Sequence, residues 1–268
     1  MAVPSAAAGK DSRAPERPER PLDVLLAEDC ALNALVGGTL LEQLGHDVTH
    51  VSRGCDAIRA FEREVFDIVL LDLELPDMSG LEVAQRIRAV PSRKYAPILA
   101  VSALVSPERI EAMSAHGIDG YIEKPLRAAT LRVMLARLMS PEAANPASLR
   151  PSLDPPVDGE ALLQEVGGDR ELLCRMLHLF REQTAKLVVE LGVGIRSKDA
   201  QRIGAAAHAL KGVIANFKLG GAYHSAAHLE QSSRSGQAVV PAEYDRLITE
   251  LGALRRELNA LEGSLERL

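Results

Sequence analysis

FDIVLLDLELPDMSG, residues 66–80, reads as a short apolar strand that ends on an acid, Asp72, followed by a loop framed by Pro76 and Gly80. Upstream, LDVLLA (22–27) is a second such run and ends in Glu28-Asp29. Between the two lie a helical spacing over 32–44 (Leu32, Leu35, Val36, Leu40, Leu44) that stops at Gly45, a short strand near 47–51 and a helix near 54–64. Downstream come a helix near 80–90, the strand PILAVS ending at Ser102, a helix over 106–116, a short strand through Tyr121 and a helix over 127–139. Strand and helix alternate five times. That alternation predicts a doubly wound α/β unit, a five-stranded parallel sheet with helices on both faces.

The chain has 268 residues, enough for two domains with their own cores. Aromatic content is 3% and Trp is absent, so those cores must be aliphatic and Ala-rich, a mix that favours helices. Residues 1–21 carry Pro, Arg, Glu and Ala with no apolar segment, and read as a disordered leader. The α/β unit spans 22–139. SPEAANPASLRPSLDPP (140–156), with five prolines, reads as a linker. From Val157 the pattern is helical: ALLQEV, Arg170 to about Leu191, Asp199 to Phe217, 222–233, and Pro241 onward. This predicts an all-α antiparallel bundle over 157–262, with 263–268 as a helix end or tail.

Net charge is −6, and residues 157–268 hold 15 acidic and 14 basic residues. No basic surface for nucleic acid is indicated. No run of 18 apolar residues exists, so no membrane insertion is expected. Cys30, Cys55 and Cys174 form no metal pattern and read as free thiols in a reducing cytoplasm. No glycine-rich nucleotide box or P-loop is present, so no ATP-binding kinase domain is expected.

In an open parallel sheet, ligands gather at the carboxyl ends of the strands. Glu28, Asp29, Asp72, Ser102 and Lys124 all fall at such ends and should converge. Crowded carboxylates need a cation, and hard oxygens select Mg²⁺. One carboxylate can then act as nucleophile toward a phosphoryl group. Lys124 and the Ser102 hydroxyl can bond its oxygens.

This set, in this order, resembles the receiver domain of two-component response regulators, which implies a flavodoxin-like fold. By that resemblance Asp72 is the phosphoacceptor and Glu28 and Asp29 are the metal-binding acids. Asp72 itself and the backbone carbonyl of Glu74 complete the Mg²⁺ set. Ser102 and Lys124, the latter before the cis-proline-type turn at Pro125, take the catalytic positions. Tyr121 matches the aromatic switch. LPDMSG is similar to the family's loop, with Ser79 in place of Asp.

Residues 199–217, DAQRIGAAAHALKGVIANF, place Ile203, Ala207, Leu210, Ile214 and Phe217 on one core-facing seam. His208 lies off that seam. Its neighbours at one turn are Gly204, Ala205, Lys211 and Gly212, three of them with almost no side chain, a shelf that suits close approach by another backbone. Lys211 could neutralise a phosphoryl group on the imidazole. The segment 157–262, with GGDRELL upstream and HLE downstream, resembles the histidine phosphotransfer (HPt) domain. His208 is then the phosphorylated residue, supported by Lys211, Gly212 and Gly204. Lys218 stands where that family has Gly. His224 and His228, spaced i, i+4, have no third ligand in sight.

Together the resemblances imply a phosphorelay protein. Asp72 takes a phosphoryl group from an upstream sensor histidine kinase, and His208 exchanges it with an aspartyl receiver, including that of a downstream response regulator. Enzymatic activity would be limited to receiver self-phosphorylation and autodephosphorylation. The alternative is a binding module switched by Asp72 phosphorylation, with no phosphate carried on His208.

Overall fold

The computed structural model describes residues 20–90, 95–102, 107–139, 159–217, 220–235 and 241–265. The leader and the linker 140–156 fall outside these residues, apart from Arg20 and Pro21, and so does Lys218.

Five strands form one parallel sheet: β1 (Asp23–Ala27), β2 (Asp47–Val51), β3 (Ile68–Asp72), β4 (Ile98–Ser102) and β5 (Gly120–Glu123), in the order β2-β1-β3-β4-β5. Each is followed by a helix: α1 (Ala31–Gln43), α2 (Gly54–Arg63), α3 (Gly80–Arg88), α4 (Pro107–Ala115) and α5 (Ala128–Met139). Five further helices follow: α6 (Gly159–Glu165), α7 (Arg170–Ser197), α8 (Ala200–Ala215), α9 (Gly220–Arg234) and α10 (Pro241–Leu265).

Strand periodicity distributes the core. Leu25 and Ala27 of β1 join Val69 and Leu71 of β3 beneath α2 and α3. Val24 and Leu26 join Ile68 and Leu70 on the opposite face, with Leu32, Val36 and Leu40 of α1. That second cluster does not stop at the α/β unit. It runs on through Leu173, Leu177 and Phe180 of α7 to Leu210, Val213 and Phe217 of α8. Two separate cores were expected. The structure instead closes the outer face of α1 with the bundle, so the two halves share one apolar cluster. The Phe180 and Phe217 rings meet edge to face at 4.9 Å.

Helix α7 runs six residues beyond the expected end. Gly192 and Gly194, just past that expected end, are both buried in the helix. A Cβ at Gly194 would lie 3.1 Å from the backbone nitrogen of Ile203, so this glycine permits close packing of α8. The helix ends at Lys198, in the left-handed region at φ 55°. Asp169 and Asp199 cap α7 and α8 by accepting from Leu172 N and Arg202 N. Among the described residues no helix is long and apolar enough to cross a membrane.

Candidate functional site

Carboxylate oxygens of Glu28, Asp29 and Asp72 lie within 4.8 Å of one another at the carboxyl edge of the sheet. Glu28 and Asp72 are buried, whereas Asp29 is exposed. Lys124 Nζ sits 2.7 Å from Glu28 Oε2 and 2.6 Å from Asp72 Oδ2. The Lys124–Pro125 peptide is cis. Burial opposes the charge on Lys124, but the two carboxylates outweigh it and hold the ammonium above the usual lysine range. Burial pushes Glu28 up to about 7; Lys124 opposes that rise and Asp72 reinforces it. Burial and Asp72 also raise Asp29. The donor set consists of hard oxygens with one exposed carboxylate as an entry, which suits a small divalent cation.

Ser102, the last residue of β4, is buried beside this cluster. Glu74 N donates to Asp72 Oδ1 at 3.1 Å, and Ser79 caps α3 through Leu81 N. Gly80 leaves no room for a side chain, since a Cβ would lie 2.3 Å from the Asp72 carbonyl oxygen. Tyr121 is half-buried against the apolar cluster beneath α2 and α3.

His208 is held from two sides. Its Nδ1 is 2.9 Å from Glu230 Oε1 of α9 and 3.0 Å from Glu74 Oε2 of the α/β unit. Arg234 reaches the same Glu74 and Glu230 oxygens, each at 2.8 Å. Arg109 pairs with the other Glu74 oxygen at 3.2 Å. Burial alone would lower the His208 pKa, but the hydrogen bonds and charges of Glu230 and Glu74 raise it to about 9. Burial opposes ionisation of Glu74 and Glu230, yet His208 and the neighbouring cations hold both below the usual carboxylate range.

Two expectations about the surroundings of His208, those for Lys211 and Gly204, need correction. Lys211 is buried and its Nζ lies 2.5 Å from Glu230 Oε2, so its charge is already met. Gly204 makes room within the bundle, with Ser233 Oγ 3.0 Å from where its Cβ would lie. Gly212 does face the α/β unit, its Cβ position lying 3.7 Å from Asn33 Nδ2. His224 and His228 belong to no metal-holding group among the described residues; His228 pairs with Glu243 at 3.1 Å.

Asp72, Ser102 and Lys124 line one cavity of about 100 Å³ together with His208, Lys211 and Glu230. A larger cleft of about 840 Å³ opens beside it, also bounded by Asp72 and His208. Asp72 and His208 therefore face shared space.

The response regulator receiver domain family matches residues 24–136, and the Hpt domain family matches 175–264. This chain is a receiver domain followed by an Hpt domain. Over 92% of its length it is 29% identical to the sensory/regulatory protein RpfC of Xanthomonas campestris pv. campestris (strain 8004). Over 74% it is 28% identical to the aerobic respiration control sensor protein ArcB of Escherichia coli K12. The receiver–Hpt chain spans 34% and 26% of those two proteins. Among solved structures it is similar to the receiver domain of sensor histidine kinase PA1611 from Pseudomonas aeruginosa PAO1, a structure with magnesium coordinated in its active-site cleft. That match has 33% identity, covers 45% of this chain and all of the other, and has a TM-score of 0.42.

Several residues that shape the receiver–Hpt site were not legible as such. Glu230 lies on the buried stripe of Ala222, Ala226 and Leu229, and Asn33 lies on that of Leu32, Val36 and Leu40. A polar residue at an inward position was the available signal. The side chain of Glu74 carried no local signal, because its partners His208 and Arg234 come from distant sequence.

Proposed function

We propose that this chain is a phosphorelay module in which Asp72 accepts a phosphoryl group from a histidine kinase and exchanges it with His208 of the same molecule. The observation that carries the reading is the shared cavity, lined by Asp72 and Lys124 of the receiver together with His208 of the Hpt domain. Glu28, Asp29, Asp72 and the Glu74 carbonyl would hold Mg²⁺, which when bound neutralises charge on the phosphoryl oxygens. Lys124 already contacts Asp72 and supplies a second positive charge at that carboxylate.

For transfer to the Hpt domain, the bond from phosphorus to the Asp72 oxygen breaks and its electron pair returns to the carboxylate. A bond forms from His208 Nε2 to phosphorus. Nδ1 is engaged by Glu230 and Glu74, so Nε2 is the nitrogen left for attack, and the Nδ1 proton stays on the ring. Nε2 reacts from the neutral imidazole, so its own proton leaves to solvent beforehand. A downstream receiver then takes the group from His208, or returns it by the reverse path.

The test is incubation with a phosphorylated histidine kinase and Mg²⁺, followed by acid and base stability of the label. Base-labile acyl phosphate should disappear in Asp72→Asn, and acid-labile phosphohistidine should disappear in His208→Ala. If intact protein never carries acid-labile label, the relay reading fails and the binding-module alternative takes its place.

A further inference from the structure

Buried amides join the receiver's acidic site to the Hpt helix that carries His208. Asn33 of α1 and Asn216, which caps the end of α8, are 8% and 4% exposed. Asn216 Nδ2 donates to Asn33 Oδ1 at 2.8 Å across the domain boundary. Asn33 Nδ2 in turn donates to Glu28 Oε1 at 3.0 Å, and the other oxygen of Glu28 meets Lys124. The remaining hydrogen of the Asn216 amide goes to the Gly212 carbonyl at 3.0 Å.

The direction of this chain is forced. Glu28 already accepts from Cys30 N at Oε1 and from Lys124 at Oε2, so Asn33 turns its NH₂ toward that carboxylate. Its carbonyl then faces α8, and Asn216 must present a donor. The rest of the α1 contact is mostly aliphatic, with Leu32, Val36 and Leu40 in the shared cluster. Apolar helix faces bury similar area at neighbouring registers. A buried amide pair does not tolerate a shift, because sliding would leave two amides unpaired. The other polar contacts across the boundary, Gln43–Asp169, Arg127–Glu165 and the pairs of Glu74 with His208 and Arg234, are more exposed and select less.

We propose that Asn33 and Asn216 are the specificity-determining pair that fixes the register of this receiver on its own Hpt domain. Glu28 sets the direction of their bond. The pair acts as a positioning element for the exchange between Asp72 and His208, and in that respect rests on the relay reading.

The experiment uses the full chain and its own thiols. Cys30 Sγ lies 3.6 Å from Gln183 of α7 and is partly buried against the shared cluster, so loss of docking exposes it further, whereas Cys55 lies in the first turn of α2, which packs on α3 and the sheet. Alkylation rates at both, read by peptide mass, report docking and general loosening separately. Asn216→Asp keeps the shape and turns a donor into an acceptor. It should raise the Cys30 rate about tenfold or more, the usual effect of one buried unpaired group. The Cys55 rate should stay unchanged. The preference of His208 for its own receiver over that of a second copy should fall in proportion. Asn216→Leu, which removes the donor without adding charge, should act in the same direction and serves if the Asp variant does not fold. Folded variants whose Cys30 rate stays within about twofold of the wild type, or whose Cys55 rate rises equally, would overturn the proposal. Alkylation requires no phosphoryl transfer, so failure of the pair and failure of the relay give different results.

Discussion

Replacing Glu74 by Gln tests how the receiver acts on the histidine of its partner domain. Glu74 touches His208 Nδ1 and Arg234 across the boundary and Arg109 within the receiver. His208 held near 9, against 6.5 for a free imidazole, corresponds to about 3 kcal/mol favouring the imidazolium. Glu230 belongs to the Hpt domain and persists when the domains separate, so roughly half of this is docking energy. Partial exposure of both groups reduces it to about 1 kcal/mol. The sign follows from the raised pKa: this contribution to docking is complete below about 6.5 and is lost as pH rises through about 9. An NMR titration of the His208 ring in the full chain should therefore give a clearly lower pKa in Glu74→Gln. Amide exchange in α1 should speed up about fivefold in that variant near neutral pH, with the difference shrinking at pH 10. A wild-type His208 that titrates at or below 6.5, or one indifferent to Glu74→Gln, would refute the reasoning.

Lys124→Met strands Glu28 and Asp72 without their shared cation, which should lower stability by about 3 kcal/mol without divalent ions. Added Mg²⁺ should then raise the Tm of the variant more than that of the wild type, and equal shifts in a thermal melt would count against the cation site. Gly80→Ala drives a methyl group into the Asp72 carbonyl and the Leu73 backbone. It should cost about 1–3 kcal/mol in denaturant unfolding and slow acyl-phosphate formation; wild-type behaviour in both would mean that this loop yields freely.

The α/β order was legible because each strand is an apolar run closed by a turn signal, and each site acid stands at such a close. The bundle was legible from its 3.6-residue periodicity, down to the seam from Ile203 to Phe217. What periodicity does not carry is the pairing of one surface with another. Nothing local to Asn33 announces Asn216, 183 residues away. Nor does the sequence around Lys211 show that Glu230 takes its charge. The end of α7 was placed too early for a related reason: Gly194 lies against the backbone of Ile203 in α8, a contact that nothing local to it shows. Sequence also left the bundle as a separate body, since the aliphatic face of α1 is equally suited to solvent-side packing by any partner.

The central claim, exchange between Asp72 and His208 within one molecule, is tested most directly by mixing. A His208→Ala chain and an Asp72→Asn chain, at low concentration with limiting phosphodonor, are compared with intact protein for the rate of acid-labile label. The account predicts fast, concentration-independent labelling of His208 in the intact chain. It predicts much slower, concentration-dependent labelling of the Asp72→Asn chain in the mixture. Equal rates in the two samples would contradict it.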